Sequence, residues 1–464
     1  MSIEAAFALP HPPLAVHDVG KGEEEKIQKT LDSFARAGKE IGAIAPETII
    51  FVTPHNVSYA DYFHISPGTA AVGNFGKFNA RQAMVSKMYD LQAAKAISEE
   101  AGKAGIPAGG QGERNSDLDH GTMVPMWFID KEYKDYKCVR ISQSGLTSAD
   151  HYKFGQCIAR AMDRLGRKAV LIASGDLSHK LLDSGPYGFS EAGPVYDKHI
   201  VGIFDSANFL ELFGIDESRL EAAGECGFRS YVIMAGLFDK KKVKSEVFSY
   251  EGPFGVGYAI ASFYPQEEDE SRGFLSKAEE SALEQARTMM EKEDAYQSLA
   301  RRSLEHFARL GKPLRLSEED KLALPKEMEN KAGAFVSLHK EGRLRGCVGT
   351  IGPTTASLAL EITQNAVSAG FHDNRFPRVK PEELPFLDYK VDVLAPAEPI
   401  PDESLLDPKR YGVIVTSGGR RGLLLPDLEG IDTIEKQVSI ARKKAGIGEG
   451  EKISLERFEV IRHG

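Results

Sequence analysis

Thr48-Ile-Ile-Phe-Val-Thr-Pro-His55 is a run of strand-forming side chains that a proline stops and a histidine follows. Two other stretches share this form: Ala5-Ala-Phe-Ala-Leu-Pro-His11 and Ala169-Val-Leu-Ile-Ala-Ser-Gly-Asp-Leu-Ser-His179. Their apolar parts are continuous rather than alternating, the pattern of strands covered on both faces and therefore of a parallel sheet. Further strands are predicted at 139–142 and 258–264. Between the strands lie helical periodicities. Over 26–41, Ile27, Leu31, Phe34 and Ala35 fall on one helix face, and 150–165 and 229–238 read similarly. Alternation of strand and helix predicts an α/β domain with a mixed, largely parallel sheet over residues 1–265.

The segment Pro265-Gln-Glu-Glu-Asp-Glu-Ser-Arg-Gly273 has no large apolar side chain and is mostly charged, which is linker chemistry. A second domain is expected at 275–464. It opens on a single long helix pattern, 277–310. Strands are expected at 334–338, 389–394, 413–416 and 422–425, and helices at 357–369 and 433–445. Grouped strands separated by a helix predict an α+β domain.

The 464 residues, with 42% hydrophobic and 27% charged side chains, exclude a disordered chain and a membrane bundle. The net charge of −10 argues against a phosphate-backbone partner. The basic groups at 420–421 and 442–444 read as solvated faces. The cysteines Cys138, Cys157, Cys226 and Cys347 form no CxxC pair, so reduced thiols are expected. The start of the chain has no basic, apolar leader pattern, and no stretch has the roughly 20 apolar residues of a membrane span. A cytoplasmic protein that binds neither nucleic acid nor membrane is expected, with the oligomeric state open.

Ligands of open α/β sheets bind beyond the carboxyl ends of the strands, where three runs deliver His11, His55 and His179. Pro10 and Pro54 cannot donate to the sheet ladder, so the strands end and the imidazoles are free to turn into a cleft. Glu225, in Gly224-Glu225-Cys226-Gly227, would complete two histidines and a carboxylate, the facial arrangement of non-haem Fe(II). Cys226 is the rival ligand, softer and suited to copper or zinc. The structural alternative sets Glu225 at a helix N-terminus, favoured by the helix dipole. Asp176, three residues before His179, is placed to orient that imidazole for proton transfer, with His120 a further acid or base of the pocket. In the second domain, Arg345 beside Cys347 would lower the thiol pKa and make a nucleophile, or Cys347 is a buried structural thiol. Asp373 and Arg375 are expected to form an ion pair.

The set LPHPP around His11, VTPHN around His55, DHGTMVPM around His120, SGDLSH around His179 and GECGFRS around Glu225 resembles the LigB-type class III extradiol dioxygenases and the related Memo proteins. The resemblance implies Fe(II), held by His11, His55 and Glu225. It also implies His179 as the catalytic acid and base, with His120 in the same pocket, and ring opening of a small catechol-like substrate. Memo proteins have Cys-Gly-Arg-His where this chain has Cys226-Gly227-Phe228-Arg229. In the second domain, LRGCVGT at 344–350, FHDNRFP at 371–377 and EEL at 382–384 resemble the AMMECR family. Chains joining the two domains resemble the fused component of the AmmeMemoRadiSam system, which implies a radical SAM protein as partner. The alternative function is a metal-binding scaffold with a vestigial pocket working with that partner.

Overall fold

The computed structural model describes residues 2–112, 117–340, 342–428 and 430–464. The chain divides into two compact units, Met1–Glu279 and Glu280–Gly464.

The first unit is built on six strands: β1 (Ile3–Leu9), β2 (Thr48–Thr53), β3 (Lys137–Ser142), β4 (Ala169–Ser174), β5 (Lys241–Glu251) and β6 (Tyr258–Glu268). Their order in the sheet is β3-β2-β4-β1-β6-β5. The first four are mutually parallel, and β6 and β5 close one edge antiparallel. The continuous apolar runs have the expected cause. Ala6, Ile50 and Leu171 face one buried cluster, while Phe7, Ile49 and Ile172 face another on the opposite side. Four helices matter for the site: α1 (Gln28–Ile44), α2 (His120–Glu132), α3 (Ser148–Leu165) and α4 (Phe228–Leu237).

Two local expectations change. The charged stretch read as a linker is strand as far as Glu268, where the ladder with β5 continues and the carboxylates meet lysines across the hairpin: Glu267 with Lys242 at 2.8 Å, and Glu268 with Lys241. The long helix expected at 277–310 is two helices, α5 (Phe274–Lys292) and α6 (Ala295–Leu310). Asp294 breaks it. Its carboxylate accepts from the N–H groups of Tyr296 and Gln297, a capping interaction that starts a new helix.

In the second unit, one antiparallel sheet has the order β8-β7-β9-β14, formed by β7 (Gly333–Lys340), β8 (Arg343–Gly349), β9 (Leu387–Leu394) and β14 (Val460–His463). A second has the order β10-β13-β11-β12, formed by β10 (Glu398–Ile400), β11 (Gly412–Ser417), β12 (Arg420–Leu424) and β13 (Ser454–Phe458). Val336, Leu338, Tyr389 and Val391 pack under α6 and α7 (Leu358–Phe371), and α8 (Ile434–Ala445) covers the second sheet. No helix among the described residues is long and apolar enough to cross a membrane.

Candidate functional site

The carboxyl ends of β1, β2 and β4 bring their histidines to one place. His11 is buried, and its Nε2 lies 3.0 Å from Nε2 of His55 and 3.5 Å from Sγ of Cys226. His55 sits at the solvent side, its ring stacked on His120 with centroids 4.1 Å apart. Among the described residues, the ligand atoms of His11, His55 and Cys226 lie within 4.8 Å of one another, and so do those of Asp176, His179 and Cys226. The two groups share the Cys226 sulfur.

Glu225 is in neither group. Its half-buried carboxylate accepts from the Phe228 N–H at 2.6 Å and the Tyr196 hydroxyl at 3.3 Å. It therefore satisfies one of the unpaired N–H groups that open α4, the structural alternative read from the sequence. Gly224, with φ of 65°, ends the preceding helix Glu217–Ala223 in a left-handed turn, and beyond it the neighbouring side chains diverge. Cys226 takes the pocket side, half-buried, with its sulfur accepting from the Asp176 N–H at 3.3 Å. Burial, with Asp176 and Glu225 nearby, pushes the thiol well above its ordinary pKa. Burial also raises Glu225 to about 7.

Asp176 does not orient His179. Its Oδ1 accepts from the backbone N–H of His11 at 2.8 Å, so it anchors the turn after β1 instead. Burial raises this carboxyl to about 7. His179 keeps a buried Nε2 with no hydrogen-bond partner, and its ring lies against Tyr187 with centroids 5.1 Å apart. Burial first, then His55, lowers its pKa to about 4, so the imidazole is neutral at pH 7.

Sequence reasoning missed the groups that hold this arrangement. Asp119 caps α2 and accepts from Thr53 Oγ1 at 2.6 Å, while the same oxygen of Thr53 receives the His55 N–H at 3.2 Å. The fully buried Arg140 lies 3.6 Å from Asp119 and offsets its charge. Gly121 permits this close approach, since a Cβ there would stand 2.4 Å from Thr53 Oγ1. An aspartate directly before the His120 helix was the available signal for the cap.

In the second unit, Arg345 is not the cation at Cys347. It forks onto Glu383, with both contacts 3.0 Å. The Cys347 N–H donates to Asp373 Oδ2 at 2.9 Å, and its carbonyl accepts from Arg375 at 3.0 Å. Asp373 and Arg375 are themselves ion-paired at 2.7 Å, as expected. The two motifs thus meet where 373–375 covers the outer edge of β8, a standard way to protect an edge strand.

This sheet, with its histidines gathered at the strand ends, is matched over residues 5–261 by the family described as the catalytic LigB subunit of aromatic ring-opening dioxygenase. Residues 297–463 match AMMECR1. The chain belongs to the LigB family and carries an AMMECR1 domain after its LigB domain. Protein CA_C1420 of Clostridium acetobutylicum is 41% identical over 473 aligned positions, covering 100% of this chain and 99% of that protein. A Thermotoga maritima protein is 50% identical over 174 residues, 37% of this chain and 98% of its own length. Among solved structures, protein PH0010 of Pyrococcus horikoshii is 30% identical over 36% of this chain and 88% of its own, with a TM-score of 0.33.

Proposed function

We propose that the LigB domain holds one transition-metal ion through His11 Nε2, His55 Nε2 and Cys226 Sγ, and uses it on a small molecule admitted between His120 and His179. The observation that carries this is the convergence of two imidazole nitrogens and a thiol within 4.8 Å. Two ring nitrogens 3.0 Å apart suit a shared cation well. A thiol with two imidazoles suits copper or zinc, whereas a facial-triad Fe(II) site would use a carboxylate. A bound ion of this kind supplies Lewis acidity and a template for an oxygen-donor substrate.

The chain's own residues do the rest. The Asp176 N–H supports the charged form of Cys226. His179, neutral and with Nε2 free of protein partners, accepts a proton from a substrate hydroxyl. His120 packs on His55 and holds its ring plane.

Ring opening of a catechol-like substrate is the activity that family membership supports. The thiol in the donor set favours a second reading, a metal-binding protein working with a radical SAM partner without ring-opening activity of its own. Anaerobic purification with elemental analysis tests the site. His11→Ala, His55→Ala and Cys226→Ser should each lose stoichiometric metal, while Glu225→Gln keeps it. Retention in Cys226→Ser with loss in Glu225→Gln would restore the carboxylate site and overturn this one. Oxygen uptake with a panel of catechols then separates the two activities.

A further inference from the structure

We infer that Ser174 is a positioning residue that fixes His11 as its Nδ1–H tautomer, and that Pro125 obliges it to do so. In a regular α-helix the carbonyl of residue 121 accepts from the N–H of residue 125. Residue 125 of α2 is proline and has no N–H to give. The Gly121 carbonyl, on a buried residue, therefore needs another donor.

Ser174 supplies it. This residue ends β4, is fully buried, and places Oγ 2.5 Å from the Gly121 oxygen. A carbonyl only accepts, so the single hydroxyl proton of Ser174 is committed there. Ser174 Oγ also lies 2.9 Å from His11 Nδ1. With the hydroxyl proton already spent, that contact forms only if Nδ1 carries the proton. A neutral imidazole has one such proton, which leaves Nε2 bare. Nε2 is the atom facing His55 and Cys226. The alignment comes from the fold. Ser174 is the register partner of Leu9 across parallel β4 and β1, two residues before His11. The proline in the His120 motif thus acts at a distance, through a carbonyl and a hydroxyl, on the nitrogen offered at the end of another strand.

The purpose of this device rests on the metal reading above, but its test does not require metal. The full chain, metal-free at pH 8 and labelled with 15N-histidine, gives the tautomer of each ring by long-range 1H–15N correlation, with His11 assigned from a His11→Gln variant. The expected result is a proton on His11 Nδ1 and a bare Nε2. Pro125→Ala returns an N–H to the Gly121 carbonyl, so the Ser174 proton is no longer required there and the preference for Nδ1–H should weaken towards a mixture of tautomers with α2 intact. Ser174→Ala should also lose the fixed tautomer and weaken zinc binding, read by chelator competition, by about 10–100-fold. Ser174→Thr should restore both. A wild-type ring protonated on Nε2, or an unchanged tautomer in Pro125→Ala, would overturn the inference. A wild-type protein with the Nδ1–H tautomer but no metal affinity would uphold it and defeat the metal reading.

Discussion

His151 links acid stability to the core of the LigB domain. It is fully buried on α3, edge-on to Phe63 with ring centroids 4.7 Å apart. Its Nδ1 donates to the Thr147 carbonyl at 2.9 Å, and its Nε2 accepts from the Ser144 N–H at 3.4 Å. Both contacts suit a neutral ring, and protonation would set an N–H against an N–H. Burial lowers its pKa from 6.5 to about 4. The folded value lies below the unfolded one, so the unfolded chain takes up the proton first. Stability is full above pH 6.5 and is lost as the pH falls towards 4. At about 1.4 kcal/mol for each pH unit, the gap between 6.5 and about 4 is worth about 3 kcal/mol. The chain has one tryptophan, Trp127, on α2, so its fluorescence during urea unfolding reports this domain. The wild type should lose stability steeply between pH 6.5 and 4. His151→Gln, which cannot ionise, should start lower but fall by about 3 kcal/mol less. Parallel pH profiles for the two proteins would show that His151 does not carry this pH dependence.

Metal affinity should rise with pH, by close to tenfold per unit below neutrality, because the raised Cys226 thiol must lose its proton to ligate. In chelator competition, the much weaker binding left in Cys226→Ala should show a flatter profile. Glu225→Ala, which leaves the Phe228 N–H unpaired, should cost about 1–2 kcal/mol in urea unfolding. In the AMMECR1 domain, buried Glu361 accepts from the hydroxyls of Thr350, Thr354 and Thr355 and from two backbone N–H groups. Glu361→Ala should destabilise that domain by about 3 kcal/mol or more, read by amide hydrogen exchange, with Glu361→Gln intermediate.

The parallel core of the sheet was legible because buried strands need unbroken apolar runs, and β1, β2 and β4 have them. Strand β5 was not. Its Lys-Lys-Val-Lys-Ser-Glu-Val pattern is that of an edge strand, half-exposed along most of its length, and polar alternation carries little signal by itself. Asp294 shows the same limit for helices. A periodic pattern continues through it, and only the cap reveals that two helices are present. For the site, the strand-end prolines pointed to His11 and His55. The choice between Glu225 and Cys226 was beyond reach, because neighbours in one turn face opposite ways and the backbone at Gly224 decides which one meets the histidines. Ser174 and Pro125 escaped for a different reason. Their role depends on which carbonyl lacks a partner, which only the assembled helix and strand disclose.

The proposed site puts a sulfur in the metal's first coordination sphere. X-ray absorption at the K-edge of the metal that copurifies with the full chain tests this directly. One sulfur scatterer is expected, at about 2.3 Å for zinc, beside nitrogen scatterers at about 2.0 Å. A shell of nitrogen and oxygen alone would contradict it.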